Sequence, residues 1–156
     1  MLYHVDEARN VFSFETATGN KISVEFTDYT DTFGSEFPVY CVDILRQVLS
    51  KKHANELTGS ATRDTIVSII RQFFERYDCA LFAFMDTSTD KKGRARNRLF
   101  KSWFNALKDE GFILEPRQIV ASGAESYSLL IIRKFYGNSS MIIDAFDAFI
   151  QLANSS

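Results

Sequence analysis

The stretch Cys79-Ala80-Leu81-Phe82-Ala83-Phe84-Met85 runs seven residues without one polar side chain. A strand with one face in water alternates apolar and polar residues; a run apolar at every position is expected where a strand is covered on both faces. Seven residues suit a strand and fall far short of the ~18 that a membrane span requires. The chain is therefore expected to build a sheet with other elements packed on each side, which excludes a plain helical bundle. Its 156 residues, 46% apolar and 24% charged with 7 Gly and 2 Pro, exclude a disordered, collagen-like or low-complexity chain.

The residues before this run carry two different periods. Phe12 and Phe14 alternate with Ser13 and Glu15, and Ile22, Val24 and Phe26 alternate with Ser23 and Glu25. These are half-buried strands, joined through the turn residues Thr18-Gly19-Asn20. Val39–Leu45 reads as a further strand, and residues 46–63 as a mixed polar stretch with a loop at Gly59 and Ser60. From Asp64 the period changes: Ile66, Val67, Ile69, Ile70, Phe73, Phe74 and Tyr77 share one side of a helix capped by Thr62 or Asp64.

After the apolar strand, Leu99, Phe100, Trp103, Phe104 and Leu107 predict a second helix over Ala95–Glu110, ended by Gly111. Phe112–Val120 and Tyr127–Tyr136 read as two strands, with Pro116 favouring an edge position or a bulge. A last helix over Met141–Ala153 begins at Ser139 or Ser140. The expected fold is α+β: a single mixed, mostly antiparallel sheet of about six to seven strands with three helices. The expected order is β-β-β-β-α-β-α-β-β-α, in one domain spanning residues 1–156.

The formal charge of −2 conceals three opposed blocks. Residues 1–44 hold two bases against eight acids, a net of −6; residues 45–136 hold sixteen bases against ten acids, a net of +6; residues 137–156 add −2. Six cations fall within eleven residues: Lys91, Lys92, Arg94, Arg96, Arg98 and Lys101. Such a run reads first as a solvated loop and helix face; cations at a helix start oppose the macrodipole, however, which argues for a role beyond that. On the wheel Arg94, Arg98, Lys101 and Lys108 share the polar side. Arg96 instead follows the Leu99/Trp103/Leu107 stripe, where it would either pair with Asp86 or Asp90 or meet an external anion.

The loop Thr58-Gly59-Ser60-Ala61-Thr62-Arg63 offers small residues and backbone donors ahead of the first helix, either as an ordinary connection or as an anion cradle. No metal site is expected. Asp86 and Asp90 form too common a pair to indicate Mg²⁺, and Cys41, Cys79, His4 and His53 lack zinc-ligand spacing. The two cysteines read as buried, reduced thiols of a cytoplasmic protein, and nothing at the N-terminus reads as a signal peptide.

Two resemblances attach to these residues. Thr65-Ile66-x-x-Ile69-Ile70-x-x-Phe73-Phe74, then Asp86, then Arg94-x-Arg96-x-Arg98-Leu99-Phe100-x-x-Trp103-Phe104 resembles a small family of uncharacterised bacterial proteins over most of residues 11–136. That resemblance implies a compact cytoplasmic domain and brings no activity with it. The order of elements also resembles the GNAT acetyltransferase superfamily. Glu56-x-x-Gly59-x-Ala61 stands where that superfamily carries (Gln/Arg)-x-x-Gly-x-(Gly/Ala), and Asn97…Leu99-Phe100…Gly111-Phe112 is similar to its Asn…Leu-Tyr…Gly-Phe run.

The second resemblance implies a coenzyme A pyrophosphate held by Thr58, Gly59, Ser60, Ala61, Thr62 and Arg63, with Arg94, Arg96 and Arg98 supplying charge. Acetyl-CoA or another phosphorylated ligand would be the cofactor. Glu56 puts negative charge beside that pyrophosphate, however, and Phe100 replaces the tyrosine that acts as general acid and has no proton to give. The reading that follows is a non-catalytic or degenerate GNAT-like binding domain with a local anion site near Arg96. An active acyltransferase using Glu25, Asp43, Asp86 or a tyrosine is the alternative. The acidic first third and the basic segment would also serve a protein partner or a second copy of the chain. A nucleic-acid-associated toxin or defence component has only the Lys91–Lys101 stripe in its favour, and no membrane partner is expected.

Overall fold

The computed structural model describes residues 2–48, 59–86, 93–121, 124–134 and 136–154, with the backbone alone for residues 48, 85, 86, 93–97, 121 and 124. Seven strands are hydrogen-bonded in the order β1-β2-β3-β4-β5-β7-β6, in an α+β architecture. Along the chain these are β1 (Asp6–Ala8), β2 (Val11–Glu15), β3 (Asn20–Asp28), α1 (Thr30–Phe33), β4 (Val39–Val48), α2 (Ser60–Arg76), β5 (Ala80–Asp86), α3 (Gly93–Phe104), β6 (Phe112–Ala121), β7 (Ala124–Arg133) and α4 (Ser139–Asn154). A 3-10 helix, Asn105–Glu110, follows α3 directly. Four α-helices thus stand where three were expected, the short α1 separating β3 from β4.

The chain divides into two compact units, one of residues 1–27 and 42–78, the other of residues 28–41 and 79–156. The divisions fall inside β3 and β4 or beside β5 rather than in linkers, so composition carries no trace of them.

In the first unit the two expected hairpin strands pair antiparallel, with Phe12 opposite Val24 and Phe14 opposite Ile22. Phe12, Phe14, Ile22, Val24 and Phe26 are all buried. The turn holds Gly19 at φ 88°, a conformation that glycine adopts without steric cost, and the Thr16 hydroxyl accepts from the Asn20 amide at 3.1 Å. β1 is an addition. All three of its residues are exposed, so it has no apolar alternation to reveal it, and its turn uses Arg9 and Asn10 at positive φ in place of a glycine.

α2 buries the expected stripe, Ile66, Val67, Ile69, Ile70, Phe73 and Phe74, and Phe73 stacks on Phe26 with ring centroids 3.9 Å apart. The helix begins one turn earlier than its apolar pattern. Gly59 is the N-cap, and Thr62 lies buried inside the first turn instead of capping it. The reason is packing: Thr65 is also buried, donates to the Ala61 carbonyl at 2.7 Å and accepts from the Tyr3 amide at 3.0 Å. The first turn is thereby tied to the N-terminal segment. Tyr77, expected in the stripe, is the C-cap and is exposed.

In the second unit β7 lies between β5 and β6, antiparallel to both. Alternate residues therefore face two helices. Phe82, Leu130, Ile132 and Ile119 join Ile142, Phe146 and Ile150 of α4 in one core. Leu81, Leu129 and Ile131 point to the opposite face, where α3 brings its buried Phe100, Trp103 and Phe104. Residues 79–83 are buried on both faces as expected, but Phe84 is 42% exposed, so the double cover ends before the strand does. β6 is the last strand in the order, which gives Pro116 its edge position. No helix of the described residues is long and apolar enough to cross a membrane.

Candidate functional site

The 12-residue α3 has two chemically distinct sides. Phe100, Trp103 and Phe104 are buried, while Arg98, Lys101 and Ser102 are exposed on the opposite side. Arg98, Lys101, Ser102 and Asn105 recur at i, i+3, i+4 and i+7, so they form one stripe. Lys108 extends it through the 3-10 segment. With three residues per turn, side chains three apart eclipse, which sets Lys108 over Asn105; a continued α-helix would have left it about 60° short of Asn105 and about 20° from Lys101, on the same stripe. Gly111 closes the segment at φ 90°, its amide bonded back to the Lys108 carbonyl at 3.4 Å. The Lys134 ammonium donates to that same carbonyl at 3.5 Å.

Opposite this polar stripe lies the edge of the sheet. Leu114 and Pro116 are two apart on β6 and so share a face, and Leu129 is the cross-strand partner of Pro116 on β7. Together Arg98, Lys101, Ser102, Asn105, Lys108, Leu114, Pro116 and Leu129 line an open cleft of about 360 Å³. One wall is cationic and polar, the other aliphatic, and among the described residues the lining contains no carboxylate.

Several other described cations are paired with carboxylates. The Arg63 Nε lies 3.0 Å from Asp64 Oδ1, Arg76 pairs with Glu7, and Arg117 joins both Asp147 and Glu115. Hydrogen bonds from Asp147 and then Glu115 push the Arg117 guanidinium above its ordinary range, against the opposing effect of burial. Among the described residues no such acid partners Arg98, Lys101 or Lys108. Three like charges along one helix face repel one another, and an anion in the cleft would relieve that repulsion.

The residues singled out from the sequence fall in both units. In the first, Gly59 is the N-cap of α2 and accepts the Arg63 amide at 3.1 Å; Ser60 is exposed, Ala61 half-buried and Thr62 buried. Thr58 and Glu56 lie outside the described residues. In the second unit, Arg94 and Arg96 occupy the first turn of α3, which carries no acid. Their side chains, and with them the Arg96 pairing to Asp86 or Asp90, lie outside what is described. Arg98 is the site residue from the sequence that lines the cleft. Phe100 is buried.

Of the candidate acids, Asp43 on β4 is half-buried, and burial raises its pKa above the ordinary carboxylate value. Among the described residues no three His, Cys, Asp or Glu side chains are grouped to hold a metal ion. The second wall of the cleft was missed at the sequence level. The i, i+2 spacing of Leu114 and Pro116 was available, but their juxtaposition with α3 depends on strand register and order.

No curated protein matches the sequence. Among solved structures, the crystal structure of Arabidopsis thaliana NAA60 in complex with acetyl-CoA aligns with a TM-score of 0.41 at 9% identity, over 79% of this chain and 76% of that one. Residues 59–148, which contain the whole Thr65–Phe104 pattern and the cleft, match the model of a family of unknown function, DUF6169, and the chain belongs to that family.

Proposed function

We propose that the protein is a non-catalytic binding domain for a small phosphorylated molecule, seated between α3 and the β6–β7 edge. One observation carries the reading: Arg98, Lys101 and Lys108 converge on one cleft whose described lining has no acid. Lysine and arginine at close spacing recognise phosphate oxygens by charge-assisted hydrogen bonds, and Ser102 and Asn105 add neutral donors. The same lining argues for binding over turnover, because among the described residues it offers neither a carboxylate nor a histidine as general base for the Ser102 hydroxyl. The Arg94 and Arg96 positions, four and two residues before Arg98, extend the cationic character toward the start of α3. Cys41 and Cys79 are buried and joined in no disulfide, which supports a reducing compartment such as the cytoplasm.

Thermal unfolding with inorganic phosphate, pyrophosphate and glycerol phosphate tests the proposal. Ligand that binds only the folded state raises the midpoint by mass action. The rise should shrink with added salt and disappear in Lys101→Glu/Lys108→Glu. No shift at millimolar ligand, or an equal shift in that variant, overturns it.

A further inference from the structure

We infer that the ligand of this cleft is an amphipathic phosphate monoester, an aliphatic body carrying one phosphate, rather than a nucleotide or a bare inorganic anion. The inference rests on the anion-binding reading above and concerns the wall that reading does not use. Leu114 and Pro116 present an aliphatic surface to the cleft, opposite the cations. Leu129 lies beneath them at 1% exposed, so this wall rests on the core and is set by the sheet register. A hydrated inorganic phosphate would leave the surface in contact with water. An aliphatic body laid against it removes that apolar area from water while the phosphate stays on Arg98, Lys101 and Lys108.

The lining discriminates further. Among the described residues it contains no aromatic side chain, so a nucleobase would find no ring to stack on. The same chemistry occurs in a soluble ester and in the headgroup region of phosphatidic acid; the soluble ester is the source assigned, and the vesicle arm of the test separates the two.

Isothermal titration of the full chain with inorganic phosphate, n-butyl phosphate, n-hexyl phosphate and AMP reads the preference directly. Each methylene placed on the aliphatic wall strengthens binding several-fold, so n-butyl phosphate should bind about tenfold or more tightly than inorganic phosphate. Pro116→Ser, at an exposed edge position, should reduce that ratio; Leu114→Thr gives a second, strand-compatible test of the same wall. Equal affinity for inorganic and alkyl phosphate, or tighter binding of AMP, overturns this inference while leaving the anion site intact. Binding of none of the four probes overturns both. Co-sedimentation with phosphatidylcholine vesicles doped with phosphatidic acid, undiminished by excess n-butyl phosphate, overturns the soluble-ligand assignment.

Discussion

The Arg117 guanidinium grips Asp147 with two nitrogens, Nε donating to Oδ1 at 2.6 Å and Nη2 to Oδ2 at 3.3 Å. Arg117 lies on the edge strand β6 and Asp147 on α4, thirty residues later, so the fork ties the outermost strand to the helix covering one face of it. Its Nη1 also donates to Glu115 at 3.0 Å, and the guanidinium carbon sits 5.9 Å from the Phe146 ring centroid. Edge strands lack a second neighbour to hold them, and here a side-chain clamp supplies the missing constraint.

Arg117→Met should therefore cost more than a typical surface pair. Exposed ion pairs contribute at most about 1 kcal/mol; a bidentate pair with a second carboxylate and a ring contact is expected at about 1–2 kcal/mol. For a chain of this size that is a drop of roughly 2–8 °C in the thermal midpoint. Asp147→Asn, which keeps one acceptor, should lose about half as much. A double-mutant cycle between the two positions checks the coupling, and additive losses would show that the pair does not act as one unit.

Phe73 and Phe26 make the corresponding contact in the first unit, with planes 3° apart and Phe73 fully buried. Phe73→Ala removes the ring from the middle of the α2 stripe and should cost about 3–5 kcal/mol. Phe73→Leu, which retains most of the apolar volume, should cost under about half of that. Urea unfolding monitored by circular dichroism separates the two. Equal losses would mean that the ring contributes shape rather than volume.

The elements legible in the sequence are those whose own residues carry a period. α2 and α4 show theirs over four turns, and β2 and β3 alternate cleanly because one face is in water. β1 was invisible for the opposite reason: Asp6, Glu7 and Ala8 bury nothing, and their pairing depends on the Arg9-Asn10 turn, which lacks the glycine signal. The N-cap of α2 was placed late because Thr62 and Thr65 are polar in type but buried in fact, so the apolar period understates the helix. At the site, the grouping of Arg98, Lys101 and Lys108 follows from helical spacing alone. The wall formed by Leu114, Pro116 and Leu129 does not, because β7 must first insert between β5 and β6 before Leu129 can face α3.

Two carboxylates should give opposite pH signatures. The Thr30 hydroxyl, at 2.6 Å, and the Thr30 amide hold the Asp28 pKa below its ordinary value. Its contribution is present above the unfolded-state pKa and is lost as pH falls through the lower folded value. Burial raises the Asp43 pKa, so the folded state binds that proton more tightly than the unfolded chain. Stability then falls as pH rises from the ordinary carboxylate value through the raised one, and the deficit persists at neutral pH. Asp28→Asn should thus destabilise at pH 7, and Asp43→Asn should stabilise there. Both differences should vanish in acid below the two folded values. Denaturant midpoints across the acid range test this, and a stabilising Asp28→Asn at neutral pH would reverse the assignment.

Gly111 closes the 3-10 segment that carries Lys108. Its φ of 90° lies where L side chains are strained, yet a Cβ added there would meet nothing within 4 Å. Substitution therefore perturbs the backbone conformation alone, without a clash. Gly111→Ala should cost about 1 kcal/mol, a few degrees of midpoint, and Gly111→Asn less, because asparagine tolerates the left-handed region. The binding consequence follows from the geometry. If the 3-10 turn relaxes toward an α-helical one, Lys108 moves about 60° from Asn105 and comes to lie about 20° from Lys101, so all three cations stay on the stripe. Phosphate affinity should therefore change little in Gly111→Ala, and the double variant with Lys108→Ala should bind no more weakly than Lys108→Ala alone. Titration of the three variants with inorganic phosphate measures this directly, and a loss in Gly111→Ala as large as that in Lys108→Ala would show that Gly111 positions Lys108.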